Sequence, residues 1–214
     1  MGIGLAQRLR EGTQVLHRQA ERAGIMPALL RGELPMAGFA RLQHSLLAIY
    51  QALEAGLRQH AAHPPLAPLL APPLWPALAR CDALHADLLA LRGPALADTM
   101  PMVPAASAYA RRLQQLAAEQ PTLLAAHAYV RYLGDLAGGQ ALRRVAQRSY
   151  RLTGAAGTHF FDFGPPARVA QLSQALRQAL DALPLDDAGS LAMVAEAQWA
   201  FAQHVRLFDD LAHG

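Results

Sequence analysis

Lysine is missing altogether from this sequence, and each of its other scarcities closes off a class of protein. All 19 basic residues are arginines against 16 acidic ones, a formal charge of +3. So small an excess demands no nucleic-acid partner, and any anion is met by planar, permanently charged forks. A single cysteine, Cys81, excludes an intramolecular disulfide and gives no sign of an oxidising compartment. No stretch reaches the roughly 18 uninterrupted apolar residues of a membrane span. The start, MGIGLAQRLREG, has no basic region followed by an apolar stretch. A cytoplasmic protein with no membrane contact is therefore expected. Valine, isoleucine and threonine are few while Ala, Leu, Gln and Arg abound, which predicts an all-α protein. No compositional break divides the chain, so residues 1–214 are expected to form one domain. No G-x-G-x-x-G follows a strand, so electrons for any redox chemistry would come from outside.

What is present is helical periodicity. Leu5, Leu9, Val15 and Leu16 mark a first helix from Leu5 to Arg22, ended by Gly24. Phe39, Leu42, Leu46, Ile49, Tyr50, Leu53 and Leu57 mark a longer one from about Met36 to His60, buried on one side. His63–Pro76 is dense in proline, with adjacent pairs at Pro64-Pro65 and Pro72-Pro73, and is expected to be loop or short turns. Further helices are predicted over Ala77–Leu91, Ala105–Glu119, Thr122–Thr153, Ala167–Leu183 and Ala188–Leu211, with an aromatic loop between Gly154 and Pro166.

Two constellations could carry chemistry. On the first helix His17 and Glu21 stand four apart, so the carboxylate can accept a proton from one imidazole nitrogen while the other faces a metal. Arg10 lies two turns earlier on the same side, where it could meet an anionic group. A surface ion pair explains the same spacing. The second constellation runs from Tyr129 to Gln140. Gly134, Gly138 and Gly139 each cost a helix about 1 kcal/mol relative to alanine, an expense explained by a bend or by something flat approaching the backbone. Close packing of two helices explains it equally. Asp135 can pair with Arg131 one turn before it, either to order water beside a ligand or as a solvated ion pair. His127 is a rival ligand on the same segment, best read as packed beside the site. Cys81 and His85 lack a third partner for a metal. Trp75 and Trp199 are expected in the core or an interface, and His60, His63 and His213 at the surface.

Leu133-Gly134-Asp135-Leu136-Ala137-Gly138-Gly139-Gln140 resembles the signature of the haem (heme) oxygenase family, with Ala137 where serine is usual. The similarity extends through His127-Ala128-Tyr129 and Ala146-Gln147, to the helix bearing His17 and Glu21, to Gly38-Phe39, Ile49-Tyr50 and Ala52-Leu53-Glu54, and to Ala200-Phe201 and Leu207-Phe208. It covers most of the chain. The resemblance implies a soluble bacterial-type, multi-helix fold with haem b, at once cofactor and substrate, between a proximal helix and a kinked distal helix. His17 would be the axial iron ligand and Glu21 its hydrogen-bond partner. Gly134, Gly138 and Gly139 would line the other haem face, and Asp135 would organise distal water with Arg131 and Tyr50. Arg177, Tyr129 and Arg10 would meet the propionates, and Phe201 would lie against the haem. A neutral imidazole pushes less electron density to iron than a thiolate, which disfavours early O–O cleavage.

The implied reaction consumes O2 and external electrons and opens haem to biliverdin, expected as the α isomer, with CO and ferrous iron. A ferredoxin or flavoprotein reductase would deliver the electrons, docking through Arg111, Arg112, Arg143 and Arg144, and the protein would act as a monomer. A haem carrier or sensor is the alternative. Two positions depart from the family pattern: Ser173 stands where a propionate-binding lysine is frequent, and His204 where asparagine is usual. His204 could join the distal water, but a histidine on the helix surface is the simpler expectation.

Overall fold

The computed structural model describes residues 3–92 and 100–213, and among them every regular element is helical. In chain order these are Leu5–Ala20 (α1), Met26–Arg31 (α2), Met36–Gln59 (α3), Ala67–Leu70 (α4), Leu74–Leu78 (α5), Cys81–Arg92 (α6), Pro104–Glu119 (α7), Leu124–Ala128 (α8), Gly134–Tyr150 (α9), Pro166–Asp181 (α10) and Asp187–His213 (α11). One π turn, Tyr129–Leu133, joins α8 to α9, and a 3-10 turn, His159–Phe161, sits in the aromatic loop. No described helix is long and apolar enough to cross a membrane.

The periodic segments fold where the sequence pattern places them, and the proline stretch forms short turns. Two differences are instructive. The segment expected as one helix over Ala77–Leu91 is broken at Ala79 and Arg80. There the Arg80 guanidinium donates to the carbonyls of Ala77, Leu78 and Ala79, taking acceptors that a continuous helix would need for itself. The other is α2, six residues long, too short to show a period.

The long helix α3 packs chiefly against α7 and α6, and α1 lies along α11. Phe39, Ile49, Tyr50, Leu53, Tyr109, Leu113 and Tyr132 are fully buried where these layers meet. Removing each such side chain from water contributes about 2 kcal/mol. Trp75 and Trp199 sit edge-on to Tyr132 and Tyr109, partly buried against the core.

Several helices begin at glycine or proline and have no capping side chain of their own. Carboxylates from distant elements do that work. Asp181, at the end of α10, accepts from the Ala6 amide at 2.8 Å, and Asp210 of α11 accepts from Ala105 at 2.9 Å. Glu54 of α3 accepts from the amides of Arg80 at 2.6 Å and Cys81 at 3.3 Å where α6 begins. Each bond satisfies an orphan helix donor and places negative charge at the positive end of the helix dipole. Gly24 closes the turn after α1 with φ at 42°, and a Cβ there would lie 1.9 Å from the Phe208 carbonyl oxygen of α11. Only glycine permits both the conformation and the approach.

Asp87, fully buried on α6, accepts from the His159 amide at 2.7 Å, the Phe160 amide at 2.8 Å and His159 Nδ1 at 2.9 Å. It therefore holds the 3-10 turn against the body of the protein. Asp87→Ala leaves those amides without a partner and is expected to lower stability by about 3 kcal/mol, measured by urea denaturation.

Candidate active site

A cavity of about 310 Å3, open on one side, lies between α1 and α2 on one hand and the segment from the π turn into α9 on the other. Leucines from α2 and α3, Phe160 and Phe161 of the 3-10 turn, and Phe201 and Phe208 of α11 make its lining largely apolar. The polar groups that reach it are His17, Glu21, Arg131, Asp135 and His204.

Residues 124–132 are all buried, an uninterrupted run that no surface helix shows. The departure from α geometry falls within that run, at Tyr129–Leu133, one turn before the glycines that the sequence suggested as the bend. Turns of this kind concentrate at functional sites. The glycines themselves lie in regular α-helix and divide by role. A Cβ on Gly134 or Gly138 would meet nothing within 4 Å, because both face the cavity. A Cβ on Gly139 would lie 3.3 Å from the Phe161 carbonyl oxygen, so Gly139 turns away from the open face and lets α9 close on the aromatic turn. The strip that a flat ligand could touch is Gly134 and Gly138; Gly139 does not join it. Close packing thus accounts for Gly139, against a turn and not a second helix, while Gly134 and Gly138 face open space.

Asp135 is no solvated ion pair. Its side chain and that of Arg131 are each only 10% exposed. Asp135 Oδ1 accepts from Arg131 Nη2 at 2.8 Å, and Oδ2 accepts from the hydroxyl of Tyr50, a fully buried residue of α3 that supports Asp135 from behind. Burial pushes the Asp135 carboxyl above the ordinary carboxylate range, opposed by the Arg131 charge and the Tyr50 hydrogen bond. Arg131, although burial works against its charge, is held above the usual guanidinium value by Asp135 and the two tyrosines Tyr50 and Tyr109. Its second arm, Nη1, donates to His204 Nε2 at 2.7 Å, while Nε, also buried, has no partner among the described residues.

His204 overturns the expectation of a surface histidine. It is 2% exposed, lines the cavity, and donates from Nδ1 to the Ala200 carbonyl at 2.8 Å. The signal was present in the sequence, because Ala197, Ala200, Phe201, His204, Leu207, Phe208 and Leu211 recur at the three- and four-residue spacing of one buried face. Phe160, Phe161 and α2 also line the cavity, and neither a six-residue helix nor an isolated turn carries a period by which to find them.

On α1, His17 and Glu21 remain half-exposed, with Nδ1 3.7 Å from Glu21 Oε1. Nε2 has no hydrogen-bond partner among the described residues. The Phe201 ring meets the imidazole nearly edge-on, with centroids 5.6 Å apart. Arg10, Tyr129 and Arg177 are not in the cavity lining but lie near one another. The Tyr129 hydroxyl is 3.5 Å from Thr13 Oγ1, and burial raises its pKa against the pull of the Thr13 hydrogen bond and the charges of Arg177 and Arg10. Both arginines are exposed.

A disc-shaped ligand fits this chemistry on three counts: a bare backbone face, an imidazole nitrogen free to bind metal, and a buried unpaired donor on Arg131. The family model described as Heme oxygenase matches residues 3–210. The chain belongs to the haem oxygenase family. It is 37% identical over 210 residues to Heme oxygenase 2 of Synechocystis sp. PCC 6803, covering 97% of this chain and 82% of that one. To human Heme oxygenase 1 it is 36% identical over 208 residues, 97% of this chain and 71% of that one. The crystal structure of Synechocystis heme oxygenase-2 in complex with heme and NO superposes with a TM-score of 0.92 at 37% identity, over 98% of this chain and 85% of that one. The Leptospira interrogans heme oxygenase structure gives 0.89 at 32% identity, over 97% and 99%.

Within this haem oxygenase the other candidates resolve into supports. His127 is fully buried between the Tyr109 hydroxyl at 2.9 Å and Glu196 Oε1 at 3.1 Å, and lies outside the cavity lining. Burial pushes Glu196 up, but hydrogen bonds from His127 and Arg112 win and hold it at about 2. Arg112 is therefore committed to a two-point bond with Glu196, and Arg143 to Asp162 at 2.8 Å, which corrects their reading as open docking residues. Arg111 and Arg144 are exposed. His60 and His63, expected at the surface, are half-buried and bonded to the Ala117 carbonyl and Thr122. Among the described residues no cluster of three His, Cys, Asp or Glu could hold a metal ion.

The division among the glycines is testable without ligand. Gly134→Ala and Gly138→Ala have open space for the new methyl, and each is expected to stabilise the protein by about 0.5–1 kcal/mol in urea denaturation. Gly139→Ala is expected to gain nothing or lose stability, because the Phe161 backbone must give way.

Proposed function

We propose that this chain is a haem oxygenase acting as a monomer, which binds haem b between α1 and the glycine face of α9 and opens it to biliverdin, CO and ferrous iron. The observation that carries this reading is the pair of open glycines, Gly134 and Gly138, set beside a carboxylate fixed by Arg131 and Tyr50 in the same cavity as His17. Bound haem supplies the iron at which O2 is reduced, and its own ring is the group oxidised.

The residues around it hold, shield and move protons. His17 would offer Nε2 to the iron, and Glu21, 3.7 Å from Nδ1, stands where a small side-chain shift would let it accept the Nδ1 proton and favour that tautomer. The edge of Phe201 limits rotation of that imidazole. Gly134 and Gly138 would place no side chain over a bound ring, so no acidic side chain of α9 would meet its exposed face directly. Protons come from Asp135 through ordered water, for which Arg131 Nε is a ready donor. Burial raises the Asp135 carboxyl, against the pull of Arg131 and the Tyr50 hydrogen bond, and so makes it a readier proton donor than an exposed carboxylate. Arg10, Arg177 and the Tyr129 hydroxyl are the partners for the propionates, and Gly139 sets the distance between α9 and the aromatic turn. Exposed Arg111 and Arg144 suit the acidic face of a ferredoxin or flavoprotein reductase. The cytoplasm, which supplies such reductants, is the compartment that fits.

Titration with hemin is expected to give a saturable Soret band that bleaches under O2 and a reducing system while biliverdin, the α isomer by chromatography, accumulates. His17→Ala should abolish the native Soret spectrum. Asp135→Asn should bind haem normally and turn it over about 100-fold more slowly. A Soret band that persists with competent donors would make the protein a haem carrier.

A further inference from the structure

We propose that His204 is a positioning residue for this reaction: as the Nδ1–H tautomer, it supplies from α11 the acceptor that fixes Arg131, and through Arg131 it aims the Asp135 carboxylate. The inference rests on the reading of function given above and concerns a position where the family usually has asparagine.

The bonds run in one direction. Ala200, one turn back on α11, takes the Nδ1 proton with its carbonyl at 2.8 Å, so the lone pair of the neutral ring is left on Nε2. Nε2 then accepts from Arg131 Nη1 at 2.7 Å. Arg131 and Asp135 are i and i+4 on a single strand of helix, and a pair on one helix can swing together about its axis side. A bond to a residue 73 positions away on another helix removes that freedom. The ring is itself wedged, with Tyr109 edge-on at 5.2 Å and Phe208 at 6.0 Å between centroids. Asparagine could offer a carbonyl to Arg131 from the same helix, but it could not titrate.

Protonated His204 would set two cationic donors against each other at this separation, and the bond to Arg131 would be lost. The charged and titratable groups around it offer little relief. Arg131 faces it directly, with Asp135 beyond and engaged to Arg131 and Tyr50. Tyr109 on α7 and His127 on α8 are bonded to each other, and Glu196 on α11 is taken up by His127 and Arg112. Burial, then Arg131, hold His204 well below the ordinary histidine value, so it stays neutral in the folded protein. A histidine neutral in the folded state and ordinary in the unfolded one takes up its proton on unfolding. Its contribution to stability is therefore intact above the unfolded pKa near 6.5 and falls away as the pH drops below it.

Two measurements on the ligand-free protein and one on the haem complex decide the matter. In ligand-free protein with 15N-labelled histidine rings, NMR should find His204 as the Nδ1–H tautomer, still neutral at a pH where exposed His213 has titrated. An Nε2–H tautomer, or titration alongside His213, would overturn the proposal. Between pH 7 and pH 5 ligand-free His204→Asn should lose less stability than the wild type, His127 being common to both; equal losses count against it. In the haem complex, His204→Leu should lower kcat about tenfold with haem affinity within about twofold of the wild type. His204→Asn, which keeps an acceptor for Arg131, should restore kcat. Leucine and asparagine variants that behave alike would overturn it. Absence of haem binding by the wild type would sink the proposed function, whereas the ligand-free measurements still decide whether His204 holds Arg131.

Discussion

A helix that must keep Gly134 and Gly138 facing open space has no side chain on that face with which to hold itself, and the surrounding structure is arranged around this constraint. Support comes from behind and from the ends. Arg131 and Asp135 bond across one helical turn, Tyr50 reaches Asp135 from α3, and His204 reaches Arg131 from α11. Gly139 lets α9 settle on the Phe161 backbone, and Asp87 pins the turn that carries Phe161. The bare face is backed by Leu136, Gly139 and Ala146, which are buried on the far side of the same helix.

That arrangement places several charges where water cannot reach them, which is costly unless each is paired and fully bonded. The pairing here is economical in type. Carboxylates serve mainly as acceptors for backbone amides or for arginine and histidine, and arginine, the sole basic side chain besides histidine, supplies forks that can divide between two partners. Arg131 divides between Asp135 and His204, and Arg112 places both arms of its bond on Glu196. A lysine in either place would bring a point charge on a flexible stem and no planar fork to set the two partners at fixed angles.

The helices of this fold were legible in the sequence wherever a buried stripe ran for three turns or more, as in α3 and α11, and the glycine cluster with its aspartate marked the cavity wall. What escaped was set by contacts between elements distant in sequence. The break at Arg80 follows from one side chain capturing three carbonyls, and α2 is fixed by its neighbours and not by a period of its own. His204 was misread for a different reason: polarity was weighed above position, although its place in the Phe201–Phe208 stripe marked it as buried. The separate duties of the glycines depend on where the Phe161 carbonyl falls, which no spacing within α9 reveals.

The borrowed caps bear on the order of events while the chain is made. The helix that carries His17 leaves the ribosome well before α10 and α11, yet the carboxylate at its first turn belongs to Asp181 and the surface it lies along belongs to α11. An isolated 16-residue helix with no cap of its own is marginal in water. The wall of the cavity that carries His17 therefore takes its settled form only after α10 and α11 have been made and have docked against it.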